Sequence, residues 1–169
     1  HAPGITGKQV QAYRLAGVEN DHECSTPEEV LDKLRAGLHI YIREGSGAKN
    51  LETLLHTLLE AEVSLDQCAF CTDDKHVEEI RKEGHISTCI RKAIAMGVPV
   101  ARAYKMGSYQ TAQFYGLKNY GAIGAGYRAD IVFLDDLTGV HPTDVMKSGR
   151  ILTKADYVKD YSVPVPEEL

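Results

Sequence analysis

The stretch from Cys68 to His76, CAFCTDDKH, constrains the fold more than any other. An apolar run breaks into the adjacent carboxylates Asp73 and Asp74, and a helical pattern resumes directly after them. That is how a buried strand delivers an acid to a site at its carboxyl end. Two stretches upstream end in the same way. A very short strand, Val18 to Asp21, runs into Asp21-His22-Glu23, and the opening residues His1-Ala2-Pro3-Gly4 read as the end of a truncated strand. The three polar ends read as one site.

Helical patterns separate these ends. Thr6 can cap a helix from Gly7 to Ala16, which Gly17 ends. Thr26-Pro27-Glu28-Glu29 joins an N-cap hydroxyl, a proline at the first helical position and a glutamate placed for a capping box. Val30, Leu31 and Leu34 form the apolar stripe of that helix and Gly37 stops it. Leu38 to Ile42 then reads as a strand that ends in Arg43-Glu44-Gly45-Ser46, and Asn50 caps a helix whose leucines at 51, 54, 55, 58 and 59 recur at helical spacing. After the Cys68–Thr72 strand come helical patterns over 77–82, 86–96 and 99–115. Strand alternating with helix implies βαβ units and a parallel sheet. Polar groups at the carboxyl ends of successive strands are where a (β/α) barrel or a doubly wound sheet builds its active site.

From Gly121 the texture changes to glycine-punctuated short strands, with Ile131 to Asp136 as one arm and Val145 to Leu152, around Gly149, as a hairpin arm. The expected division is therefore an α/β part over 1–120, a small β element over 121–156, and an extended tail over 157–169. The glycines at 121, 124 and 126 do not make GxGxxG and precede a strand, which argues against a dinucleotide site.

Charge narrows the partners. A net charge of -5, from 19 basic and 24 acidic residues, with no basic run longer than two, excludes a surface that tracks phosphates, so no nucleic-acid partner is expected. The longest nearly apolar window, Ala93 to Ala101, is broken by Gly97 and Pro99 and is far short of the roughly 20 residues a membrane helix needs. No signal-peptide pattern is visible, so a cytoplasmic location without a membrane partner is the expectation. The chain starts on histidine without an initiator methionine, and a fragment of a longer protein is expected. Cys68 and Cys71 have CxxC spacing, but residues three apart on a strand point to opposite faces and cannot share one tetrahedral metal. All four cysteines, with Cys24 and Cys89, are read as free buried thiols.

Neutral imidazole with carboxylate suits divalent Zn, Mn or Fe, and an acid beside a metal can accept a proton from water. His1, His22 and Asp73 supply such a set. The alternative makes His22, Asp73 and Asp74 ordinary helix caps. Of the two aspartates only one can point inward; Asp73 is assigned to the site and Asp74 to capping the helix that begins near His76 or Val77. Arg43, Glu44 and Ser46 stand at the right end of a strand to touch a substrate, or belong to a solvated loop. His39, His56, His76, His85 and His141 are read as structural or solvent-facing.

Taken together, His1-Ala2-Pro3-Gly4 with Gly7-Lys8 and Ala12-Tyr13, Asp21-His22-Glu23-Cys24, Arg43-Glu44-Gly45-Ser46 and Phe70-Cys71-Thr72-Asp73-Asp74 resemble the bacterial adenine deaminases of the amidohydrolase superfamily. Gly126-Tyr127-Arg128-Ala129-Asp130, with the apolar strand after it, is similar to the segment where many amidohydrolases pass into a β-sandwich. The resemblance runs to about Leu152. It implies the C-terminal half of a (β/α)8 TIM-type metallohydrolase barrel followed by part of a small β-sandwich, and hydrolysis of adenine to hypoxanthine and ammonia in purine salvage. It implies a divalent metal, Mn or Fe with Zn as an alternative, dinuclear in the complete enzyme. His1 and His22 match metal ligands at strands five and six. Asp73 matches the strand-eight aspartate that ligates the other metal and moves the proton, and Glu23, Arg43, Glu44 and Ser46 match substrate-pocket positions. Asn20 stands where a serine is expected. The family's His-x-His pair and its bridging acid have no counterpart here, and a full barrel takes roughly 250 residues. The resemblance therefore implies that this chain carries only part of the active site. The remaining half of the barrel, or another chain, becomes its expected partner beside a purine substrate and copies of itself in a homo-oligomer. Two alternatives stay open, another cyclic amidine or amide hydrolase and a non-catalytic fragment.

Overall fold

The computed structural model describes residues 1–157. Its first part runs α1 (Gly7–Leu15), β1 (Asn20–Asp21), α2 (Pro27–Arg35), β2 (His39–Arg43), α3 (Leu51–Glu60), a 3-10 turn (Leu65–Gln67), β3 (Cys68–Cys71), α4 (Val77–Glu83), α5 (Ile86–Ala95), α6 (Val100–Gly107) and α7 (Tyr109–Phe114). The strands form one parallel sheet in the order β1-β2-β3, with Asp21 opposite Ile40 and Arg43 opposite Cys71. The order never reverses, so these strands contain no topological switch point of the doubly wound kind. Sequential parallel strands with a helix in each crossover are the arrangement of a barrel wall, and equally of one half of a doubly wound sheet.

Pleating divides the sheet into two faces. Ile40, Ile42, Cys68 and Phe70 join one apolar core with Val30 and Leu34 of α2 and Leu51, Leu54, Leu55 and Leu58 of α3. The alternate residues, Tyr41 and Arg43, lie outside that cluster. Phe114 at the end of α7 stacks on His39 with ring centroids 3.9 Å apart and meets Tyr41 edge-on at 5.9 Å, so α7 leans over this second face. Among the described residues β1 and β3 each pair only with β2, which leaves two open parallel edges.

Local chemistry accounts for most boundaries. The capping box of α2 is complete, because Thr26 Oγ1 accepts from the Glu29 N–H at 3.3 Å and the Glu29 carboxylate accepts from the Thr26 N–H at 3.1 Å. Four expectations about these boundaries need correction. Thr6 stands at the N-cap of α1, but its side chain makes no capping bond. Asn50 occupies the N-cap of α3 but caps nothing with its side chain, whose oxygen accepts from Arg43 Nε at 3.4 Å instead. The pattern over 99–115 is two helices, not one. The break is at Ser108, whose hydroxyl donates to the Tyr104 carbonyl at 2.6 Å, and the chain at Gly121 passes so close that an added Cβ would stand 2.7 Å from Tyr109 Cα. The strand expected over 18–21 pairs only at Asn20 and Asp21.

The β element consists of β4 (Ile131–Leu134), β5 (Pro142–Lys147) and β6 (Arg150–Ile151) in one antiparallel sheet, followed by the single-turn α8 (Lys154–Tyr157). Ser148 and Gly149 form the two-residue turn with φ of 50° and 81°, the left-handed pair that matches strand twist. Among the described residues this antiparallel sheet has three strands, in the order β4-β5-β6. The extended tail expected over 157–169 is corrected at its first residue, since Tyr157 closes α8, and its remainder, 158–169, lies outside the described residues. No described helix is long and apolar enough to cross a membrane.

The four cysteines are free, with Cys24, Cys68 and Cys89 buried, Cys71 half-buried, and Cys68 but not Cys71 in the core cluster. Burial pushes each thiol up to about 12. At pH 8 the native protein is therefore expected to react slowly with a thiol reagent, whereas the denatured, unreduced protein titrates four thiols. A denatured count of two would show a disulfide.

Candidate active site

The site gathers at the carboxyl ends of the parallel strands. β1 ends at Asp21, so His22 and Glu23 leave the sheet at its rim, and the segment from His1 to Gly4 lies beside them. Glu23 Oε1 faces three nitrogens: His1 Nδ1 at 3.0 Å, His22 Nε2 at 3.2 Å and Arg43 Nη1 at 3.1 Å. The two imidazoles meet edge-on with centroids 4.8 Å apart. Arg43 Nη1 also donates to Asp73 Oδ2 at 3.0 Å, which carries the network from the end of β1 across β2 to the end of β3. Burial opposes the charge on Arg43, but the hydrogen bond to Asp73 and the charge of Glu23 outweigh it and raise its pKa.

Three of these residues, His1, His22 and Glu23, present one donor atom each within a span of 4.8 Å. Two imidazole nitrogens and a carboxylate oxygen fit a borderline divalent cation. Asp73 stands one residue further along, reached through Arg43, and its backbone takes φ of 51°. The structure thus joins His1, His22, Glu23, Arg43 and Asp73 into one constellation, with Glu23 at its hub.

Glu44 and Ser46 turn elsewhere. Glu44 is buried and accepts from Lys92 Nζ of α5 at 2.8 Å. Ser46 Oγ accepts from the His76 N–H at 2.8 Å and donates to Glu79, so it relays a cap to the start of α4. Asp74 is corrected as well: the N-cap of α4 is His76, without a side-chain bond, and Asp74 accepts from the Gly47 N–H at 3.2 Å. The loop after β2 lies so close to Asp74 that a Cβ on Gly45 would overlap its carboxylate and stand 2.7 Å from the Thr72 carbonyl. Among the other histidines, His56 is exposed and pairs with Glu60, and His85 bonds Thr72.

Beneath the rim lies a buried ionic cluster absent from the sequence expectations. Lys33 Nζ of α2 donates to the Ala2 carbonyl at 2.6 Å and to Asp21 Oδ2 at 2.9 Å, and reaches Glu29 Oε1 at 3.5 Å. The side chains of Lys33 and Asp21 are both 0% exposed. The one hint in the sequence is the i,i+4 pair Glu29 and Lys33 placed directly against the apolar stripe of Val30 and Leu34.

A profile of the amidohydrolase family matches residues 1–152. The chain belongs to the amidohydrolase family. Among curated relatives, this amidohydrolase is 44% identical over 150 residues to the adenine deaminase of Desulfitobacterium hafniense, an alignment that covers 89% of this chain and 26% of that one. It is 42% identical over 161 residues to the adenine deaminase of Clostridium acetobutylicum, covering 95% and 28%. For the adenine deaminase of Bdellovibrio bacteriovorus the identity is 45%, covering 91% and 26%. The chain thus spans about a quarter of the length of these relatives. Among solved structures, the β-aspartyl dipeptidase of Fervidobacterium islandicum AW-1, in complex with a β-Asp-Leu dipeptide, aligns with a TM-score of 0.60 at 19% identity, over 80% of this chain and 38% of that one. That likeness shows the fold. The amidohydrolase described here is a mixed α/β piece of a TIM-barrel superfamily protein.

Proposed function

We propose that this chain supplies the C-terminal half of the (β/α)8 barrel of an adenine deaminase, followed by part of its β-sandwich, and that it carries part of the active site. The observation that carries this reading is the single network of His1, His22, Glu23, Arg43 and Asp73 along three adjacent strand ends, in a chain 42–45% identical to adenine deaminases. His1 and His22 would hold a divalent cation, Mn or Fe with Zn as the alternative, and Asp73 would serve a second cation once the other half of the barrel completes the centre. When bound, the cation lowers the pKa of water and so supplies a nucleophile at neutral pH.

The chain's own residues do the rest. Water adds at C6 of adenine, the C6–N bond breaks, and the products are hypoxanthine and ammonia. Asp73 accepts the proton that water gives up and returns it to the departing nitrogen. Glu23 fixes both imidazole planes, and Arg43 holds Glu23 and Asp73 at a set separation beside the purine. Glu44 and Ser46 serve the pocket by fixing its wall, through Lys92 and α4 respectively. The open edges of β1 and β3 receive the strands of the missing half, within a homo-oligomer.

The test is ammonia release from adenine by the protein with its barrel complete, assayed metal-free and after loading with Mn. Metal-dependent ammonia and hypoxanthine in equal amounts, both lost in His22→Ala together with bound metal, is the expected result. A loaded protein that leaves adenine intact would sink the reading.

A further inference from the structure

We propose that Lys33 is the positioning residue for the metal-binding pair His1 and His22, a role that rests on the metal reading above. Its ammonium has three N–H donors and meets three acceptors, the Ala2 carbonyl, Asp21 and Glu29. Each acceptor is tied to a backbone segment that carries a ligand. On one side, the Ala2 N–H donates to Asp21 Oδ1 at 3.1 Å and the Gly4 N–H donates to Glu29 Oε1 at 2.6 Å, so the segment that follows His1 is clasped at Ala2 and Gly4. On the other side, Asp21 directly precedes His22, and Glu29 accepts from the N–H groups of Ser25 and Thr26, each at 3.1 Å. Both histidines are therefore one residue from an anchor that converges on one buried nitrogen.

This arrangement matters because the His1 ring has little else to hold it. Its side chain is 78% exposed, and its polar contact is the 3.0 Å approach to Glu23. The spacing of the two rings is set by the backbones beneath them. Those backbones are held together by two carboxylates that stay side by side in a dry interior because an ammonium lies between them. Without that charge Asp21 and Glu29 repel, the Ala2 carbonyl loses its donor, and the segment from Ala2 to Gly4 is released. The ligands remain, but their separation is no longer fixed. Such supporting groups typically change metal affinity by about 10- to 100-fold.

The test loads the complete protein with Co(II) and reads its dissociation constant and visible absorption. Lys33→Met is expected to weaken Co(II) binding by about 10- to 100-fold and to shift the visible bands. Leu54→Ala, a core change in α3, is the control that lowers stability while leaving the bands in place. Lys33→Gln, which keeps a donor and drops the charge, is read in the same way if Lys33→Met does not accumulate as folded protein. Unchanged affinity and spectrum in the folded Lys33 variants overturn the proposal alone, as does an equal spectral shift in Leu54→Ala. Failure of the unmodified protein to bind Co(II) overturns the metal reading beneath it.

Discussion

With the proposed deaminase function and the barrel complete, replacing Asp73 with asparagine is expected to lower turnover on adenine by about a hundred- to ten-thousand-fold, with the fold intact. The fold survives because Asp73 has φ of 51°, a conformation in which asparagine is among the best tolerated residues, and because an amide oxygen can still accept from Arg43. What disappears is chemical. Asparagine brings no negative charge to a cation and cannot take a proton from water. Asp74→Asn is the matched control. Asp74 accepts one N–H, from Gly47, and an amide oxygen does that equally well, so turnover should stay near normal. Turnover and bound metal per chain, measured for both variants, decide the matter. A dead Asp74→Asn beside a normal Asp73→Asn would reverse the assignment.

The second large effect is on acid stability. Burial alone would raise the Glu29 carboxyl. The N–H groups of Ser25 and Gly4, the charge of Lys33 and the Thr26 hydroxyl instead bring it from its ordinary 4.5 down to about 2. A carboxyl whose folded pKa is depressed contributes stability that is fully present above its unfolded pKa and lost as pH falls through its folded pKa. For Glu29 that window runs from 4.5 down to about 2, and the depression corresponds to about 3 kcal/mol. Asp21, whose pKa is also lowered, adds to the same trend. Urea unfolding as a function of pH should show unmodified protein losing stability steeply across that window. Glu29→Gln should start weaker at pH 7 and decline less steeply, because an amide cannot accept from all of these donors or offset Lys33. Parallel curves for the two proteins would assign the acid sensitivity to other groups.

Much of the architecture is legible in the sequence because it rests on local rules. The capping box at Thr26 and Glu29, the leucines of α3 and the apolar run ending in Asp73 each need only neighbours a few residues away. The misreadings occur where a distant partner decides. Ser108 breaks a helix where Gly121 runs past it, and Asn50 turns to Arg43 rather than to its own helix. Asp74 bonds a glycine 27 residues earlier in the chain. Lys33, for which the sequence raised no expectation, follows the same rule, since a lysine on an amphipathic helix ordinarily faces water. Only the tertiary approach of Ala2, 31 residues away, and Asp21, 12 away, gives it reason to be buried. The site divides in the same way. That His22, Glu23 and Asp73 stand just past strand ends is legible from the apolar runs before them, whereas the turning of Glu44 to Lys92 and Ser46 to α4 depends on helices that fold against the loop from elsewhere.

The contact between the loop after β2 and the start of α4 bears on how sequences of this kind can be recombined. Ser46 closes the end of a helix that belongs to the next βα unit, Asp74 holds Gly47, and Gly45 leaves no room for a side chain against Asp74 and Thr72. The two loops therefore form one inheritable unit. A graft that imports residues 44–50 from a relative without also importing 72–79 would join a serine to a helix it does not fit. Library designs that diversify the rim should shuffle the two segments as a block.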